Sequence, residues 1–127
     1  MPLTIVVCML ALIEYIVFSM LVGRARGLYG VEAPATSGHE LFDRHYRVHI
    51  NTLEQLAVFL PAVVAFALVI SDLWAALLGL LFVVGRALYA VQYVKDPASR
   101  GPGMLLGFVA NIVLVLGALG GAVVGLL

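Results

Sequence analysis

"FDRHYRVHINTLEQLAVFLPAVVAF", residues Phe42 to Phe66, starts as a polar segment and ends as one that could lie in a bilayer. Its first half carries Arg44 and Arg47, Asp43 and Glu54, and the histidines His45 and His49. Its second half is apolar throughout, with Pro61 inside it. The hydrogen-bonding side chains run directly into a membrane span. Such groups are expensive in lipid, and they face other protein or a water-filled cavity.

The rest of the chain has the same character. Of 127 residues, 64% are hydrophobic and 11% charged, with a mean hydropathy of +1.14. Soluble domains are about 45–50% apolar and about 25% charged, so this is membrane composition. A formal net charge of zero removes the electrostatic case for nucleic acid. Cys8 is the single cysteine, so no intrachain disulfide can form, and its apolar surroundings make it a small hydrophobe. A spanning helix takes about 20 apolar residues. Spans are expected at about 3–22, 42–70, 73–94 and 103–126, within one domain covering residues 1–127. The expected fold class is all-α, an integral membrane four-helix bundle. The first segment lacks a basic leading region and a small-residue cleavage site, and reads as a retained span rather than a signal peptide.

All seven Lys and Arg residues fall toward one membrane face: Arg24, Arg26, Arg44, Arg47, Arg86, Lys95 and Arg100. The opposite connection, Ser71-Asp72, has none. The positive-inside rule then places both polar loops in the cytoplasm and both termini outside, and a bacterial inner membrane is the expected location. Gly23–Leu41 reads as a loop, and "KDPASRGPG" (Lys95–Gly103) stops any helix with its prolines and glycines. Pro61 is expected to kink span two. Gly117, Gly121 and Gly125 allow close helix approach, either within the bundle or at a dimerisation face.

On span two, Arg47, Asn51 and Glu54 fall within about 60° of one another, on a stripe about 10 Å long. On span three, Arg86, Tyr89 and Tyr93 repeat the pattern, with Gln92 beside them. Pairing of Arg47 or Arg86 with Glu54 would act as glue between helices. The cations outnumber what one carboxylate can use, however, and an anionic ligand would satisfy the surplus. A zwitterionic peptide with two carboxylates meets this inventory, glutathione being the abundant cytoplasmic case. A phospholipid headgroup would use much the same groups. The three histidines form no cluster with Cys or Asp of metal-site spacing, so no metal site is expected.

At "FDRHYRVHINTLE" and the apolar run after it, the chain resembles the membrane-associated proteins in eicosanoid and glutathione metabolism, the MAPEG family. The family pattern is close to E-R-x-x-R-A-x-x-N-x-x-E. The four-span layout and "RALYAVQY" of span three extend the resemblance over nearly the whole chain. It implies a homotrimer with glutathione, as co-substrate, bound between neighbouring subunits on the cytoplasmic side. It implies glutathione-binding roles for Arg47, His49, Asn51 and Glu54 on span two, for Tyr89 and Tyr93 on span three, and for Arg26 at the end of span one. Arg100 matches the arginine that stabilises the glutathione thiolate, which makes it the catalytic candidate. Members that act on eicosanoids carry a second arginine where this chain has Gly27 and a tyrosine where it has Gln55. These departures point to a bacterial-type member with a general detoxifying role.

The implied activity is that of a membrane-bound glutathione transferase, with glutathione peroxidase activity as a variant of the same chemistry. The partners are then membrane lipids, hydrophobic electrophiles and further copies of the chain. Holding a thiol of ordinary pKa near 8.5 as thiolate at pH 7 takes about 2–3 kcal/mol, which one cation in a partly desolvated pocket can supply. Two other classes stay open on the sequence. One is a non-catalytic lipid-binding or scaffold member of the family. The other is a small multidrug exporter, suggested by Glu14 in span one, although Arg47 and Arg86 suit a cation carrier poorly. Hydrogen bonding or pairing with a pocket arginine is the simpler expectation for Glu14.

Overall fold

Helix ends in the computed structural model, which describes residues 1–127, follow local chemistry. The order is α1 (Pro2–Tyr29), α2 (Glu40–Val69), α3 (Asp72–Lys95), a 3-10 turn (Pro97–Ser99) and α4 (Gly101–Leu126). All four long helices have the length and hydropathy to cross a membrane. The first continues past the span end expected near residue 22, so Gly23–Tyr29 is helix rather than loop. Arg24, Ala25 and Arg26 favour helix, and nothing breaks it until Gly30, which takes a left-handed cap at φ 66°.

The polar start of α2 is capped by His39, whose Nδ1 accepts from the Leu41 N–H at 3.1 Å. Glu40 and Asp43 in its first turn complement the helix dipole. Pro61 does not interrupt this helix, which stays continuous to Val69. Ser71 caps α3 by accepting from the Trp74 N–H. The Lys95–Gly103 segment stops α3, as its prolines and glycines require, and α4 restarts with Pro102 in its first turn, where a missing N–H costs nothing.

In lipid, helices associate through packing rather than through a hydrophobic drive. The tightest approach is between α3 and α4, where a Cβ on Gly103 would stand 2.3 Å from the Tyr89 backbone nitrogen. The glycine steps of α4 serve the bundle: a Cβ on Gly117 would lie 2.5 Å from the Phe66 ring, while one on Gly125 would meet nothing. Between α2 and α3 the Phe59 and Phe82 rings stack at 4.0 Å, both fully buried.

Charged groups pin both ends. Asp72, which opens α3, accepts from the Leu3 and Thr4 N–H groups and from Thr4 Oγ1 at 2.6 Å, and lies 3.2 Å from the Met1 amine. At the loop end, Arg44 pairs with Glu40 and donates to the Val94 carbonyl at 3.0 Å, fixing the start of α2 to the end of α3.

Candidate functional site

The polar half of α2 faces two ways. Arg47 and Glu54 are about half exposed, at 53% and 57%, and lie 3.7 Å apart on the outside of the bundle. Leu53 and Val58 on the same stretch of α2 are also exposed. Asn51 is buried, and its Oδ1 accepts from an Arg86 guanidinium nitrogen at 2.7 Å. The same nitrogen donates to Thr52 Oγ1 at 2.9 Å. Helix geometry explains the split: Asn51 stands about 40° from Arg47 and about 60° from Glu54, toward α3. Its side-chain oxygen is turned inward to Arg86. The single stripe expected from the spacing is therefore an outward ion pair beside an inward amide.

Arg86 is 2% exposed and its guanidinium lies over the Tyr89 ring, 4.3 Å from the centroid. It does not pair with Glu54. Neutral acceptors and an aromatic face hold it, and no carboxylate stands within ion-pair distance. One Glu14 oxygen and the Arg86 Nε are each buried without a hydrogen-bond partner, and Glu14 forms no ion pair with an arginine in this protomer.

Tyr89 is buried and stacks on Tyr93 at 5.5 Å. Tyr93 in turn lines a polar cleft of about 470 Å³ with Ser37, His39, Asp43, Arg44 and Pro97. His49 stacks on Tyr15 at 4.8 Å, with both ring nitrogens buried and unpartnered. Arg26 closes the first loop: it donates to the Ala35 carbonyl at 2.7 Å and lies 4.9 Å from the Phe42 ring centroid. Arg100 is exposed between the 3-10 turn and α4 and donates to the Pro97 carbonyl at 2.9 Å.

The structure thus joins Asn51, Arg86, Tyr89 and Tyr93 in one chain of contacts and Arg47 with Glu54 in another. Within one protomer, no hydrogen bond or ion pair links Arg26 or Arg100 to either group. Three polar contacts escaped the sequence reading. Thr52 shares Arg86 with Asn51, and adjacency to that motif residue was its signal. Asn111 donates to Gln55 at 3.1 Å, and its signal was a lone amide within an apolar span. The Thr4–Asp72 bond joins positions 68 residues apart, which no local pattern reveals.

Comparison with known proteins places the chain in a family. The MAPEG family profile matches residues 4–120, which reaches into all four helices. The uncharacterized protein sll1147 of Synechocystis sp. is 47% identical over 110 residues, covering 87% of this chain and 80% of that protein. Human microsomal glutathione S-transferase 2 is 34% identical over 105 residues, covering 81% of this chain and 71% of the relative. Leukotriene C4 synthase of Cavia porcellus is 32% identical over 83 residues, 65% of this chain and 55% of the synthase. The chain is an all-α integral membrane protein and belongs to the MAPEG family.

Proposed function

We propose that this protein is a membrane-bound glutathione transferase that joins the glutathione thiolate to hydrophobic electrophiles dissolved in the lipid. The observation that carries the reading is the Arg47–Glu54 pair, half exposed among exposed leucine and valine on a helix that enters the membrane. Charges so placed are costly against hydrocarbon and call for a polar cover. A neighbouring protomer that brings Tyr93 and Arg100 to this face, with glutathione between them, supplies that cover. A homotrimer with composite sites is the assembly that follows.

In this arrangement Arg47 receives a glutathione carboxylate and Glu54 its ammonium, as charge-assisted hydrogen bonds. Arg26 and His49 extend the same site. Asn51 acts mainly through Arg86 and Tyr89, which it positions. Arg100 uses one nitrogen on Pro97 and keeps the rest of its fork for the thiolate. The thiolate then forms the carbon–sulfur bond as the leaving group departs with the electron pair. The site faces the cytoplasm of a bacterial inner membrane, where the basic loops belong.

Turnover by the detergent-purified protein tests the proposal, with glutathione and a hydrophobic aryl halide as substrates. Saturable conjugation that Glu54→Gln and Arg100→Ala each reduce at least about tenfold supports it. Saturable glutathione binding with no conjugation or peroxide reduction across a substrate panel would favour a non-catalytic role instead.

A further inference from the structure

A second feature lies on another side of α2. An apolar groove of about 450 Å³ opens between α1 and α3, walled by Phe18, Leu21, Val48, Ala90 and Val94. At its loop end stand His45 and Lys95. The groove shares Leu21 and His45 with an adjoining niche of about 140 Å³, which adds Arg24 and Tyr29. His45 and Val48 point roughly 140° around α2 from Arg47 and Glu54, so the groove belongs to a different face of the bundle.

We propose that this groove and niche form a site for an anionic phospholipid, with one acyl chain along the groove and the phosphate among Arg24, His45 and Lys95. Three observations support this assignment together. The groove wall is almost wholly apolar and is built from helices long enough to span a membrane, which suits an acyl chain rather than a soluble metabolite. The polar groups all sit at the loop-side ends of α1, α2 and α3, where spanning helices place headgroup depth. All are basic or phenolic, and neither Arg24 nor Lys95 has a carboxylate within ion-pair distance. The nearest acidic neighbour in sequence, Asp96, is turned to the Ala98 N–H at 3.1 Å. Basic pockets between helices at a membrane face bind acidic headgroups in this way, each cation contributing about fivefold in affinity.

Arg44 makes the niche a fixed shape. By donating to the Val94 and Lys95 carbonyls it holds the end of α3 against α2, with Lys95 beside His45. The site would thereby link the annular lipid to the start of α2.

Native mass spectrometry of the full-length protein tests the site, using equal loads of phosphatidylglycerol and phosphatidylcholine of matched chains. The expected result is preferential retention of phosphatidylglycerol by the wild type. Lys95→Ala and Arg24→Ala should each cut that preference by about fivefold. Ala87→Phe, at an exposed position lining the groove, should lower retention of both lipids while glutathione turnover stays at the wild-type level. Equal retention of the two lipids by the wild type would overturn the proposal. So would a preference that survives all three substitutions. Displacement of phosphatidylglycerol by an equimolar free fatty acid would assign the groove to that occupant instead. Loss of the wild-type oligomer in Ala87→Phe would make the face a subunit contact, which also overturns it. Failure of conjugation alone leaves these outcomes unaffected, because the groove does not depend on the transferase reading.

Discussion

Asn51 commits its side-chain carbonyl to Arg86 rather than to the outer surface. Asn51→Ala would leave a buried cation with one acceptor fewer, and hydrogen bonds to charged groups are worth about 1.5–3 kcal/mol. The thermal midpoint in detergent should fall accordingly, with Thr52 Oγ1 keeping part of the anchor. A midpoint unchanged by the substitution would show that Arg86 finds another partner. Glu54 is exposed, and its loose contact with Arg47 is worth little. Glu54→Gln should therefore leave stability nearly intact but weaken glutathione by about 1–3 kcal/mol, through loss of a charge-assisted bond. Calorimetric titration separates the two effects, and a loss of stability with intact binding would make the pair structural glue. Arg47→Ala should act in the same direction, and less than additively with Glu54→Gln if one ligand spans both. The spacing of the motif was legible in the sequence. The direction of each side chain was not, because positions about 60° apart on a helix stand on either side of a packing boundary that α3 defines.

At the scale of elements, the four helices could be read from hydropathy, since a bilayer admits few other solutions for such a chain. Their ends were less legible. The first helix runs on to Gly30 because an amphipathic or apolar pattern is not needed once a helix leaves the lipid, and only a left-handed residue stops it. The glycine pattern of α4 was visible, but its partner was not: Gly117 and Gly121 pack on Phe66, Val69 and Ile70 within the bundle, while Gly125 is open. Gly103 is the most demanding contact. A methyl group there meets the Tyr89 backbone, which cannot rotate away, so Gly103→Ala should push α4 from α3 and cost about 1–3 kcal/mol. Gly101→Ala, two residues earlier and with nothing within 4 Å, should change stability by less than about 0.5 kcal/mol. Unfolding midpoints of the two variants give the comparison. Equal midpoints would mean that the crossing relaxes at no cost.

For the whole molecule, one protomer presents Arg47 and Glu54 on its outer surface and ties Arg26 and Arg100 into their own loops. In the proposed trimer, a complete site would draw α2 of one protomer together with α3 and the following loop of the next. Co-expression of an Arg47→Ala chain with a Tyr93→Phe, Arg100→Ala chain should restore activity in mixed oligomers, since some interfaces regain a full set of residues. No rescue despite verified mixing would confine the site to a single chain. The family pattern supplies the members of the proposed site, while a lone sequence carries no periodicity for contacts between copies. Activation of the thiol is the step on which the proposed activity rests. It is measured most directly by the ultraviolet thiolate absorbance that appears when glutathione is added to the purified protein at pH 7. The wild type should develop a saturable thiolate band. Arg100→Ala should lose most of the band while still binding glutathione, and should recover it as pH rises toward the ordinary thiol range. No thiolate band in a wild-type protein saturated with glutathione would contradict the transferase assignment.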